Sequence, residues 1–209
     1  VNILSVSDQE SALIYSPAIK ERFKHIDIII SCGDLPYYYL EYIISSLNKP
    51  LYYVRGNHSN QVEYGSGAER TEPWGAIDLH RRICREPGLL ISGVEGCLRY
   101  NSGPQQYTQA QMWRHVWRLL PGLWSNRLRY GRYLDVFVTH APPWKVHDQE
   151  DKPHQGIKAF NWLIRVFRPA LHFHGHIHVY RNDAVTKSRV VATDVINSFG
   201  YWETRFDLK

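Results

Sequence analysis

The apolar positions of the chain fall into two alternating kinds of segment. Residues 2–6 form a short apolar run that stops at Ser7-Asp8, and 26–31 is dominated by isoleucine before it meets Gly33-Asp34-Leu35-Pro36. Runs of this kind predict strands buried on both faces. Residues 51–54 read the same way and end at Gly56-Asn57-His58. Between these strands, 17–24 and 37–47 predict helices, with Pro17 suited to a first turn. Further on, 88–94 and 97–100 predict two strands paired across Glu95-Gly96, and Thr108 predicts the N-cap of a helix through Leu120. A strand over 134–139 ends at His140, a loop rich in Pro, His and Asp fills 141–156, and 157–167 has helical periodicity. A strand over 170–173 leads into His174-Gly175-His176-Ile177-His178. The tail, 179–208, predicts several strands separated by polar turns, one at Asn182-Asp183. Residues 61–85 carry no periodicity that assigns them.

The first half therefore reads as βαβα and the last part as mostly β. No repeat and no linker divides the chain, so 1–209 is expected to be one α/β domain with more than one sheet. No apolar stretch approaches the roughly 20 residues of a membrane span. No basic segment precedes a long apolar one, so no secretory leader and no membrane partner are expected. Three cysteines, Cys32, Cys84 and Cys97, match no zinc spacing. They suit a reducing, cytoplasmic setting. The net charge of +5 favours anionic partners. The denser basic stretch from Arg114 to Arg132 reads first as a solvated helical face.

Candidate chemistry changes the picture. Five predicted strands each end in metal-capable side chains: Asp8 with Glu10, Asp34, Asn57 with His58, His140, and His176 with His178. Open α/β folds place their sites at such strand ends. Singly, each has an ordinary explanation, since Asp and Asn favour turns and a lone histidine is commonly structural. Together, carboxylate, amide oxygen and imidazole suit Mn²⁺, Fe or Zn²⁺ better than Ca²⁺.

In this order, Ser7-Asp8-Gln9-Glu10, Gly33-Asp34, Gly56-Asn57-His58, Thr139-His140 and Gly175-His176-Ile177-His178 resemble the signature of calcineurin-like metallophosphoesterases. The usual pattern there is D-x-H, G-D, G-N-H-[DE], H and G-H-x-H. The resemblance implies a four-layer αββα sandwich of two mostly mixed sheets flanked by helices, with a dinuclear metal site. It places Asp8 and His178 on one metal, Asp34 between both, and Asn57, His140 and His176 on the other. His58 would assist the leaving group rather than ligate. The chemistry agrees: two cations about 3.5–4 Å apart neutralise a phosphoryl group and supply a hydroxide nucleophile near neutral pH. An imidazole then protonates the leaving oxygen.

Two positions depart from the pattern. Glu10 stands where the first motif has His, and is expected to replace imidazole as an oxygen ligand, which suits Mn²⁺. Ser59 stands where an acid usually follows the histidine. Asp148 and His154, in the loop after His140, and Tyr37, just after Asp34, are candidate substrate contacts. The expected activity is hydrolysis of a small phosphodiester or phosphomonoester, with nucleotides favoured slightly and nucleic acid not favoured. The competing reading is a scaffold that kept the fold and lost catalysis. A protein phosphatase is a third reading, for a chain short of large surface grooves. Oligomeric state is left open.

Overall fold

A computed structural model describes residues 1–59, 62–65, 68–86, 88–181 and 183–207. Two sheets form the centre. The first has strand order Gly200–Arg205, Asn2–Ser7, Ile28–Ser31, Leu51–Tyr53, Ala76–Asp78, and only its first pair is antiparallel. The second runs Lys187–Val190, Thr193–Asn197, Leu171–His174, Val136–Thr139, Leu89–Val94, Ile83–Glu86, with antiparallel pairs at both edges.

Side chains alternate across these strands, so each strand feeds two cores. Ile28 and Ile30 point between the sheets with Val136 and Val138. Ile29 points outward to Phe23, Tyr39 and Leu40, beneath the helices Ile19–Arg22 and Tyr37–Leu47. Phe137 points outward on the other side, to the layer of Gln109–Trp117, Leu120–Tyr130 and Lys158–Phe167. There it meets Phe160 edge-on at 5.5 Å between ring centroids. Each such buried ring contributes roughly 1.5–3 kcal/mol. The result is the expected helix–sheet–sheet–helix stack.

Three expectations are corrected. Residues 89–94 and 97–98 do not pair across Glu95-Gly96. Leu89–Val94 already has both edges occupied, by Val136–Thr139 and Ile83–Glu86, so Cys97–Leu98 pairs in parallel with Gln106–Tyr107 instead. The helix capped by Thr108 has the expected N-terminus, with Gln111 completing a capping box, but it stops at Trp117. Pro121 explains this: it has no N–H to donate, and its ring excludes the carbonyl four residues back, which is that of Trp117. A second helix, Leu120–Tyr130, starts with that proline in its first turn and ends at Gly131 in the left-handed region. The helix over 17–24 shrinks to Ile19–Arg22. Within 61–85, Ala76–Asp78 is the edge strand of the first sheet, and Glu63–Gly65 pairs with Ala68–Arg70 as a separate ribbon. The turn expected at Asn182-Asp183 falls partly outside the described residues, since Asn182 does.

Candidate metal centre

The strands Asn2–Ser7, Ile28–Ser31 and Leu51–Tyr53 of one sheet, and Val136–Thr139 and Leu171–His174 of the other, all deliver their C-terminal loops to one rim. The loops turn sharply there. Asp8, Asp34 and His176 have φ of 62°, 56° and 68°, a left-handed backbone that is uncommon outside glycine. Gly33 and Gly175 make this packing feasible. A Cβ on Gly33 would lie 2.6 Å from the Gly56 nitrogen and 2.8 Å from His140 Nδ1. One on Gly175 would overlap Ser7 Oγ and Asp8 Oδ2.

Four polar atoms converge beyond these turns. His140 Nε2 lies 3.2 Å from Asp34 Oδ2, 3.1 Å from Asn57 Oδ1 and 3.1 Å from His176 Nδ1. The outer atoms of the same side chains are held by hydrogen bonds. His140 Nδ1 donates to the Cys32 carbonyl at 2.8 Å, and His176 Nε2 donates to the Pro153 carbonyl at 2.8 Å. Asn57 Nδ2 donates to the Tyr100 hydroxyl at 3.0 Å. Asn57 and His176 therefore turn an acceptor lone pair inward, and His140 does so once the proton on its Nε2 is released. Ligand atoms about 3 Å apart are the edges of an octahedron with bonds of about 2.1 Å. The donor set fits a divalent cation.

Asp8 stands beside this group. Its Oδ2 accepts from the His176 amide at 2.9 Å, while Oδ1 is buried with no hydrogen-bond partner among the described residues and faces His178 Nε2 at 3.7 Å. A buried carboxylate oxygen without a donor is costly in a closed fold. It is the expected state of an atom that faces a cation.

The remaining sequence candidates divide. His58 is exposed, and its backbone N–H donates to Asp34 Oδ1 at 2.8 Å. His154 lies beside His176, with ring centroids 5.3 Å apart and the rings tilted, and its Nδ1 is 2.7 Å from Asp151 Oδ2. Asp148 serves the loop itself, accepting from the Gly156 amide at 3.0 Å. Glu10 is exposed and its Oε1 accepts from the Tyr38 hydroxyl at 2.6 Å, which directs it to the neighbouring helix. Tyr37 is only 2% exposed, and its hydroxyl donates to the Thr71 carbonyl. It is a packing residue, so the expectation that it lines a pocket is corrected.

Charge within the cluster is strongly biased. Burial opposes ionisation of both Asp34 and His140, but each overcomes it through the other. Asp34 is held down at about 2 by His140 and by the His58 amide, and His140 is raised to about 9 by Asp34. His176 is lowered, first by burial and then by the charge on His140. His178 is raised by the Asp8 carboxylate that faces it.

Several contributors were not legible beforehand. Ser59, the departure from the acidic motif, ties the loop: its hydroxyl accepts from the Gly56 amide at 2.8 Å and the Asp34 amide at 3.2 Å. Behind the cluster, Ser188, His147 and His174 form a relay that ends on the Gly175 carbonyl, with steps of 2.8, 2.8 and 2.9 Å. It braces the peptide that precedes His176. His174 directly precedes the Gly175-His176-Ile177-His178 motif but lies outside it; His147 and Tyr100 gave no signal, because their partners are distant in sequence.

Comparison with known proteins agrees with the fold. The model of the calcineurin-like phosphoesterases matches residues 13–180, and the chain belongs to that family. Similar solved structures include the Thermus thermophilus protein TT1561, at 17% identity and a TM-score of 0.63, covering 95% of this chain and 88% of that one. A hypothetical protein from the same bacterium is similar at 15% identity and a TM-score of 0.50, covering 94% and 75%. GAP50, the anchor in the inner membrane complex of Plasmodium, is similar at 12% identity and a TM-score of 0.50, covering 94% and 70%. At these identities the likeness is one of fold. No curated protein matches in sequence.

Proposed function

We propose that this protein hydrolyses small phosphoesters, nucleotide diesters among them, with two divalent cations. The observation that carries the reading is the convergence of Asp34, His140 and His176, whose ligand atoms lie within 4.8 Å of one another, beside the unpartnered Asp8 Oδ1. Asn57, His140 and His176 would hold one ion, Asp8 and His178 the other, and Asp34 both. The oxygen and imidazole donors favour Mn²⁺, with Fe and Zn²⁺ as alternatives. Such ions, when bound, neutralise phosphoryl charge and supply a hydroxide nucleophile at neutral pH.

The chain's own residues do the rest. The inward lone pair of His176 and the orientation of the His140 ring are set by the Pro153 and Cys32 carbonyls, so the ligand side chains are held in place before any ion arrives. His58 is exposed and anchored through its amide to Asp34, which leaves its imidazole available to protonate the leaving oxygen. His154, oriented by Asp151, stands beside His176 where it can contact substrate. The described cysteines are free, and Cys32 and Cys97 are buried, in keeping with a reducing cytoplasmic setting.

The test is hydrolysis of bis-p-nitrophenyl phosphate and p-nitrophenyl phosphate by metal-stripped protein, with and without Mn²⁺, beside Asp34→Asn. Metal-dependent turnover that the variant lacks is expected, and the preferred ester sets the substrate class. Folded protein that binds metal but turns over neither ester would instead support the scaffold reading.

A further inference from the structure

Between Glu95 and Asp135 the chain has no carboxylate and no lysine, but six arginines: a formal +6 in a chain whose total is +5. Four of them, Arg114, Arg118, Arg127 and Arg129, lie on or beside the two helices Gln109–Trp117 and Leu120–Tyr130, are exposed, and form no ion pair among the described residues. A solvated helix face ordinarily mixes both signs. This one does not.

The same layer carries a continuous line of aromatic rings. It runs from Trp117 to Trp113, Trp162, Phe167, Tyr133 and Trp124, with successive centroids 5.8, 5.4, 5.6, 5.1 and 5.2 Å apart. Its two ends are open to solvent, Trp117 at 53% and Trp124 at 54%. Leu128, one turn beyond Trp124, is 86% exposed between Arg127 and Arg129, and Val166 is 48% exposed. Half-exposed tryptophans, protruding aliphatics and unpaired arginines on one helical layer are the composition of an interfacial surface.

We propose that this outer helical face docks on an anionic lipid bilayer. Arginines would meet the headgroup phosphates, the tryptophan rings would sit at headgroup depth, and Leu128 would enter the acyl boundary. Among the described residues no helix is long and apolar enough to cross a membrane, so the association is peripheral. A second copy of the chain is a poorer occupant, because face-to-face pairing would set arginines against arginines. A single-stranded nucleic acid would satisfy the arginines and stack on the rings. It would leave Leu128 and Val166 in water.

The experiment is sedimentation of the full chain with vesicles of phosphatidylcholine alone and of phosphatidylcholine mixed with phosphatidylglycerol, at low and high salt. Binding to the mixed vesicles alone is expected, weakened by salt, with a blue shift of tryptophan emission. The variant Arg127→Glu with Leu128→Glu alters only exposed positions, and circular dichroism and thermal unfolding check its fold. It should bind on the order of a hundredfold more weakly. Shallow quenching of the wild-type tryptophans by brominated lipid gives independent support. Absence of binding at low salt, or undiminished binding by the folded variant, overturns the proposal. So does a tighter complex with a single-stranded oligonucleotide than with vesicles, or self-association that the variant abolishes. None of these readouts depends on hydrolysis.

Discussion

His140 and His172 are imidazoles on adjacent parallel strands or their ends, both with no exposed surface, and they are tuned in opposite directions. His140 is raised to about 9; His172 is lowered to about 3. Burial pushes both down, because a buried cation loses its hydration. His140 escapes because Asp34 stands 3.2 Å from its Nε2. Among the described residues His172 has only the Thr139 hydroxyl as a hydrogen-bond partner, at 2.8 Å, and its neighbours His147 and His174 are lowered with it. The candidate metal cluster and the histidine group behind it thus share burial and residue type. One carboxylate separates a site suited to cations from a bracing element that stays neutral.

The largest expected effect comes from removing that carboxylate. Asp34→Asn should reduce metal-dependent hydrolysis by on the order of a thousandfold or more. In the metal-free variant, His140 should join the depressed class, which imidazole NMR titration reads directly. An unmoved His140 titration would sink the explanation given for the contrast.

Next in size is acid sensitivity. His147 and His172 are lowered to about 4 and about 3, and His174 is lowered too, so the unfolded chain binds protons that the folded one refuses. Their stabilising contribution is whole above the unfolded value near 6.5 and declines as pH falls below it. These three contribute up to about 4 kcal/mol per pH unit to a slope to which His80, His115 and His176, also lowered, add. His140 behaves oppositely: its contribution is whole below 6.5 and is lost as pH rises through about 9. Urea unfolding of metal-free protein at pH 7 and at pH 5 checks the slope, and His172→Gln should reduce it by about 1.4 kcal/mol per pH unit. An unchanged slope in that variant would mean His172 is not held neutral.

Metal affinity sharpens the same contrast. A cation must displace the proton that Asp34 holds on His140, so Mn²⁺ binding should strengthen by about tenfold per pH unit from neutrality to about pH 9, then level off. Calorimetry in buffers of different ionisation enthalpy should find about one proton released per ion bound at this site. Zero protons released would contradict the charged state of His140.

The smallest effect is expected at Glu10. Its carboxylate is exposed and bonded to Tyr38, so Glu10→Ala should leave metal content unchanged and alter turnover by less than about threefold. A halved metal content would show that Glu10 leaves Tyr38 to become a ligand, as its place in the first motif suggests.

Much of this arrangement was legible in the sequence where a single local rule applied. The isoleucines of 28–30 announce a strand buried on both faces, and the helix Tyr37–Leu47 has the bounds that its apolar pattern predicts. Thr108 caps as expected, and the order of strand-terminal residues brings Asp34, Asn57, His140 and His176 together. The rest depends on competition that a local reading does not see. Cys97–Leu98 has a good hairpin signal, but the edge it would join is already taken. Trp117 ends a helix because of Pro121, four residues ahead. Tyr37 lies three residues after Asp34 yet points its hydroxyl at Thr71, since a helix turns successive side chains by about 100°. Tyr100, His147 and Ser188 act through contacts made only once the chain has folded.

The bond from the His176 amide to Asp8 has a kinetic meaning. It closes a loop of 168 residues, whereas the Asp34–His58 bond in the same cluster closes one of 24. Long closures are entropically late, so the Asp34–Asn57–His58 half is expected to assemble early and the Asp8–His176 half last. A cation held by both halves, as proposed, would therefore recognise only the finished fold. Its binding would withdraw completed molecules from the unfolding equilibrium, making the ion a checkpoint on assembly as well as the proposed reagent.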